Sequence, residues 1–310
     1  MYRKPRDSEI DVHGVTHTGL VRPNNQDHFL IGSLRQRFNV RESSLPDFSA
    51  LPLKEDRLAS LMMVADGVGG GRKGEEASEL AIEALTRYIT ETVRCYYSAD
   101  TGDADFTQAL EQAAFRCHQK VVDEGHKNPE FEGMATTLTL FIGVWPWCYL
   151  LQVGDSRYYQ FRQGHLLQIS RDQTMAQELI DSGMFAAAVN KTPMTNILSS
   201  SIGGPETVPV VKRLPNSWST THLLCTDGLT KHVSDDRIAE RLRQMTSAQQ
   251  VCEELLQDAL DAGGTDNITI VVGRAVPAAA IEITDTGEIE GVGSVPAEAA
   301  ARAPVFGRGN

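Results

Sequence analysis

The chain has 310 residues, 41% of them hydrophobic and 23% charged, which is the profile of a folded protein of one large or two ordinary domains. Its formal net charge of -12 excludes a surface built to neutralise nucleic acid or an anionic membrane, so neither is expected as a partner. The five cysteines, at 95, 117, 148, 225 and 252, form no C-x-x-C pair, which argues against a disulfide framework or a zinc–thiolate site.

The N-terminal stretch MYRKPRDSEIDVHG has basic residues without an apolar core behind them, so no signal peptide is expected. The longest apolar run, LTLFIGVWPWCYLLQV, falls short of a membrane span and is broken by Pro146. It reads as two strands and a turn. A cytoplasmic location is expected. Residues 1–10 read as an N-terminal extension, 11–275 as one domain and 276–310 as a disordered tail of Ala, Gly, Pro, Glu and Thr.

In chain order, residues 11–34 alternate like strands around RPNNQD. Residues 35–57 are polar, carry two prolines and read as an inserted surface loop. LASLMMVA, 58–65, is a buried strand that opens into Asp66-Gly67. A Gly-rich turn leads to a helix over 74–97 with Glu75, Glu76 and Glu79 in its first turns, where the helix dipole favours anions. A second helix is expected over 106–125. Strands follow at 135–144, 147–153, 157–162 and 165–169, the last two joined by the hairpin turn Gln163-Gly164. A short helix is predicted over 173–182, then irregular chain to 205. Strands return at 208–213 and 221–226, helices at 235–245 and 247–262, and a closing strand at 267–274. This order predicts an α+β fold with helices covering a two-sheet core.

Four aspartates end apolar strands or sit in Gly-bounded turns: Asp66 in LMMVADGVGGG, Asp155 in LLQVGDSRYY, Asp227 in HLLCTDGL and Asp266 in GGTDNITIVV. Strand ends of this kind gather at a sheet edge. Two carboxylates 4 Å apart repel by about 4 kcal/mol at an effective dielectric near 20, so they must take up protons or hold cations. Oxygen ligands without histidine or cysteine suit Mg²⁺ or Mn²⁺. A pair of such ions can acidify a water between them and clamp a phosphoryl oxygen. Any one Asp-Gly is most often only a turn; four in one kind of setting are a stronger signal.

Taken in order, GLVRPNNQD, VADGVGGG, GMATTLTL, QVGDSRYYQFRQGHLLQIS, CTDGL and GGTDNITIVV resemble the metal-dependent protein phosphatase family, type 2C, in its bacterial form. The resemblance spans about residues 11–275. It implies a four-layer αββα sandwich, two mainly antiparallel sheets flanked by helix pairs. It also implies a serine/threonine phosphatase acting on phosphorylated proteins, among them a serine/threonine kinase and its substrates. Asp66 would then bridge two ions, with the Gly67 carbonyl on the second and Asp227 and Asp266 on the first. Asp27 and Gln26 would act behind the ligands, Asp27 orienting a water, and Arg22 would hold the substrate phosphate as a bidentate fork. Asp155 would join Asp227 at a third ion, and residues 173–205 would be a variable flap.

The sequence departs from the family in three places. Gln26 stands where a glutamate is frequent. Val68 replaces a histidine that eukaryotic members use as general acid. Lys231 stands where relatives often have an aspartate that helps the third ion. His232 reads as an exposed helix-start residue. Thr136 and Thr137 read as a satisfied strand start. Gln26 and Lys231 keep open an alternative, a catalytically weak or silent phosphoprotein-binding module of the same fold.

Overall fold

The computed structural model describes residues 3–36, 56–69, 72–92, 103–184, 189 and 192–277. The elements are β1 (Ile10–His17), β2 (Asp27–Gln36), β3 (Asp56–Val68), α1 (Arg72–Thr92), α2 (Asp103–Lys127), β4 (Ala135–Thr136), β5 (Leu138–Val144) and β6 (Trp147–Val153). They continue with β7 (Arg157–Arg162), β8 (His165–Gln168), α3 (Met175–Asp181), β9 (Val210–Pro215), β10 (Thr220–Cys225), α4 (Asp227–Thr230), α5 (Asp235–Arg243), α6 (Ala248–Asp261) and β11 (Ile268–Ala275). One antiparallel sheet has the order β1-β11-β10-β7-β8; the other runs β2-β3-β5-β6-β9, with β4 on β3.

Period-two side-chain alternation sorts these strands into layers. Leu61, Met63 and Ala65 of β3 pack with Leu85 and Ile89 of α1 and Leu110 of α2. The residues between them, Met62 and Val64, face Tyr158, Leu224 and Val271 of the opposite sheet. On that sheet Leu223, Cys225, Ile270 and Val272 turn outward to Ile238 of α5 and Val251 and Leu255 of α6. Central strands are therefore buried on both faces, which is why LASLMMVA has no polar alternation. The expected αββα sandwich of two antiparallel sheets and flanking helices is the observed architecture.

The helices carry their own signals. Ala77, Ala81, Leu85 and Ile89 of α1 recur every fourth residue and are fully buried. Ser234 and Ser247 cap α5 and α6 by accepting from the N–H of Arg237 and Gln250. α1 begins two residues before the expected Gly74, and residues 93–97 lie outside the described residues. Gly74 sits inside the first turn because a Cβ there would lie 2.6 Å from Gln26 Nε2 and 2.8 Å from the Gly67 carbonyl. The strand expected at 208–213 is displaced to Val210–Pro215, and α4 was not foreseen.

The expected flap opens with α3, capped by Thr174, and among its described residues holds one 3-10 turn, Pro193–Asn196. β2 and β3 reach into both ends of the expected 35–57 loop; residues 37–55, like the tail from 278, lie outside the described residues. The N-terminal extension is fastened to the domain. Arg3 pairs with buried Glu9 and lies 4.8 Å from the Trp218 ring, and Val276 N donates to Glu9 O. Among the described residues no helix is long and apolar enough to cross a membrane.

Candidate functional site

β2 and β3 pair so that Asp27 and Asp66 are register partners at one end of their sheet. The connection from β6 to β7 passes from one sheet to the other and carries Asp155 after Gly154, whose φ of +101° suits glycine. Asp227 opens α4 at the end of β10, and Asp266 precedes β11. All five carboxylates thus lie where strand ends of both sheets meet. Their mutual influence shows this: Asp66 feels the charges of Asp27, Asp227, Asp155 and Asp266.

Backbone hydrogen bonds fix Asp66. Its N–H donates to Thr137 Oγ1 at 2.9 Å, and its carbonyl accepts from Thr137 N–H and Thr136 Oγ1, each at 2.9 Å. Thr137 Oγ1 also shares a bond with Ser156 Oγ at 2.7 Å. The expected satisfied strand start is therefore also the fixture of the central aspartate. Gly67 N–H donates to Gln26 O, and a Cβ on Gly67 would lie 2.1 Å from Gly74 O. Only glycine lets β3 pass this close to α1.

Asp27 is buried. One carboxylate oxygen, Oδ2, accepts from Thr226 Oγ1 and Thr269 Oγ1, both at 2.8 Å. The other, Oδ1, is the one buried side-chain polar atom without a hydrogen-bond partner among the described residues. Burial pushes the Asp27 carboxyl up to about 7 and Asp155 up to about 8, each with help from Asp227. Burial and the four surrounding aspartates raise Asp66 well above the ordinary carboxylate range. Among the described residues no group donates a hydrogen bond to the Asp66 carboxylate.

Asp227 and Asp266 have cationic partners. Lys231 Nζ lies 2.5 Å from Asp227 Oδ2 and 2.8 Å from Asp266 Oδ2. Arg22 reaches Asp266 through Nε at 2.8 Å and Nη2 at 3.0 Å. Burial would raise Asp266, but the bonds from Lys231 and Arg22 outweigh it and leave the group below its usual value. Asp227 stays raised by burial in spite of Lys231. With these two cations in place, no three His, Cys, Asp or Glu side chains among the described residues close on one point.

A divalent cation nevertheless suits this donor set. The donors are all hard oxygens, and among the described residues Asp66 has no salt-bridge partner and a buried Asp27 oxygen has an unused lone pair. A cavity of about 350 Å³ lies at the opposite end of the sandwich, lined by Ile31, Leu61, Met62, Phe141 and His222. Asp7 is the one carboxylate among its lining residues, so the acidic chemistry is not there.

Of the site residues expected from the sequence, Asp27, Asp66, Asp155, Asp227 and Asp266 lie within electrostatic reach of one another, Arg22 pairs with Asp266, and Gln26 and Gly67 lie beside Asp66, but no three of the carboxylates close on one point among the described residues. Arg22 is engaged with Asp266, so its fork is not wholly open; among the described residues Nη1 has no partner. His232 is not at a helix start. It follows the last turn of α4, and its Nε2 bonds Thr265 at the neck of the Asp266 loop. Val68 is exposed at the end of β3. The sequence reading missed Thr226 and Thr269, and also Asn267, whose side chain holds Gln26 N–H and the carbonyls of Thr18 and Asn24. Their signal was adjacency: each lies within three residues of a flagged aspartate.

Comparison with known proteins bears on this site. The sequence profile of the family described as Protein phosphatase 2C matches residues 46–262. Serine/threonine protein phosphatase PstP of Mycobacterium tuberculosis is 31% identical over 259 residues, which is 83% of this chain and 43% of that protein. The chain thus spans under half of that relative's length. Serine/threonine phosphatase stp of Listeria monocytogenes is 30% identical over 215 residues, 68% of this chain and 83% of that protein. The crystal structure of the PstP catalytic domain in complex with two manganese ions superposes with a TM-score of 0.67 at 29% identity, covering 86% of this chain and 99% of that one.

Proposed function

Because this chain belongs to the protein phosphatase 2C family, we propose that it hydrolyses phosphoserine and phosphothreonine in proteins with the help of Mg²⁺ or Mn²⁺. One observation carries the reading: five aspartates from both sheets lie within electrostatic reach at one end of the sandwich, and one buried oxygen among them has no hydrogen-bond partner among the described residues. Asp66, the Gly67 carbonyl, Asp227 and Asp266 would hold two cations, and Asp155 with Asp227 a third. Such ions, when bound, supply an acidified water as nucleophile and a positive clamp on the phosphoryl oxygens.

The chain's own groups do the rest. Asp27, fixed through Oδ2 by two threonines, offers Oδ1 as acceptor for a water and so sets its direction. Thr136 and Thr137 hold the Asp66 backbone and so fix the point from which its carboxylate projects. Arg22 stands at the mouth, where its free donors meet a phosphoryl group entering beside Asp266. The four described cysteines are buried, and desolvation pushes each thiol up to about 12, so none serves as a covalent nucleophile. Phosphorylated proteins, including a kinase and its targets, are the proposed partners, in the cytoplasm.

The lysine on Asp227 and Asp266, with neutral Gln26 nearby, favours one second reading: a module that binds phosphoproteins without turnover. Phosphothreonine peptides titrated with Mn²⁺ or Mg²⁺ separate the two. The proposed enzyme releases inorganic phosphate in proportion to metal and falls silent in EDTA. Peptide binding without phosphate release at saturating metal selects the second reading, and full activity after exhaustive chelation sinks the metal mechanism.

A further inference from the structure

Lys231 is not an ordinary surface lysine paired one turn along a helix. α4 is a single turn, and Lys231 N–H donates to the Asp227 carbonyl at 2.8 Å, which stacks the lysine over that aspartate. From there the ammonium spans to Asp266, which arrives on a different loop 35 residues away. Its side chain is 30% exposed, and those of Asp227 and Asp266 are 21% and 17% exposed, so solvent screens the trio only in part. Asp266 Oδ2 accepts from Arg22 Nη2 and from Lys231 Nζ together.

We propose that Lys231 is a tethered ammonium that competes with a divalent cation for Asp227 and Asp266. The inference rests on the reading of this cluster as a metal centre. An ion ligated by those two oxygens would sit a few ångströms from the ammonium already on them. The two like charges would repel in a partly desolvated site. Metal entry and the Lys231 bridge therefore exclude each other, and the ion binds only the fraction of molecules whose lysine has swung out. Apparent affinity falls by that fraction, so a bridge formed in nine-tenths or more of molecules weakens binding about tenfold or more. In return the ammonium partly neutralises the cluster when no ion is bound. The tether makes the centre a low-affinity one, tuned by a residue that need touch neither substrate nor metal.

Isothermal titration of Mn²⁺ into the chelator-stripped full chain tests this without reference to turnover. Lys231→Met, which keeps the aliphatic stem and removes the charge, is expected to bind about tenfold or more tightly than the natural chain. Lys231→Arg is expected to bind no more tightly than the natural chain. A Lys231→Met variant that binds Mn²⁺ with equal or lower affinity overturns the proposal while leaving the metal centre standing. If neither protein binds the ion, the metal reading and the tether fall together. A second measurement needs no variant: in lysine-labelled natural protein, the Lys231 ammonium signal should be protected without metal and lose that protection as Mg²⁺ saturates. A signal unmoved by saturating Mg²⁺ overturns the proposal.

Discussion

Asp66 shows how much of a side chain's role is set by what it lacks. Its backbone is tied on both sides by Thr136 and Thr137, yet among the described residues its carboxylate receives no donor and faces four other aspartates. Asp66→Asn removes a repulsive charge and a ligand at once. The variant is expected to lose about 100-fold or more of phosphatase activity while its metal-free form melts no lower than the natural chain, checked by circular dichroism and turnover in parallel. Thr137→Val is the contrasting change. It leaves the Asp66 N–H buried without an acceptor, which should cost about 1–3 kcal/mol of stability. A urea midpoint unchanged from the natural chain would show that this bond does not fix Asp66.

At the level of elements, β10 joins the two halves of the site and the core behind them. Its Cys225 end leads into Asp227, and its middle carries His222, which is buried between the sheets beside Tyr158 and Asn216. Tyr158 OH lies 2.8 Å from His222 Nδ1, and Asn216 Oδ1 lies 3.1 Å from Nε2, so a neutral ring satisfies both neighbours: Nδ1 accepts and Nε2 donates. Burial holds His222 down to about 3, against 6.5 in the unfolded chain. Below pH 6.5 the unfolded chain takes a proton that the folded one refuses. Stability from this group is therefore complete above pH 6.5 and is lost as pH falls towards 3, by up to about 1.4 kcal/mol per pH unit. His222→Gln, which cannot titrate, should flatten the urea midpoint against pH over that window. Parallel profiles for the two proteins would show that acid sensitivity arises elsewhere.

For the whole molecule, the acidic end of the sandwich is a place of stored repulsion that cations relieve. An ion that binds only the folded chain, at a hundred times its dissociation constant, adds about 2.7 kcal/mol of stability. In a domain of this size that corresponds to a rise in melting temperature of roughly 5–10 °C. The natural chain should show this rise with Mn²⁺ by calorimetry, and Asp66→Asn should lose most of it. An equal rise in the variant would mean that the ion binds outside the cluster.

Amino-acid order alone was enough to mark helices over a two-sheet core, because a strand buried on both faces must be an unbroken apolar run and a helix against it must repeat near every fourth residue; the four-layer arrangement came from the family resemblance. β6 and β7 match their predicted limits, Trp147–Val153 and Arg157–Arg162, since sharp turns bound both. Four of the site aspartates were legible for a related reason: Asp66 lies near the end of β3, Asp155 follows β6, Asp227 follows β10 and Asp266 precedes β11, and strand ends must emerge at a sheet edge. Tertiary structure alone decided the partners. Which threonines hold Asp27, why Gly74 stands inside a helix, and that Lys231 bridges Asp227 to Asp266 are matters of approach between segments far apart in the chain. Spacing along a sequence carries no term for that, because such contacts are selected by the packing of whole layers and not by any neighbouring residue.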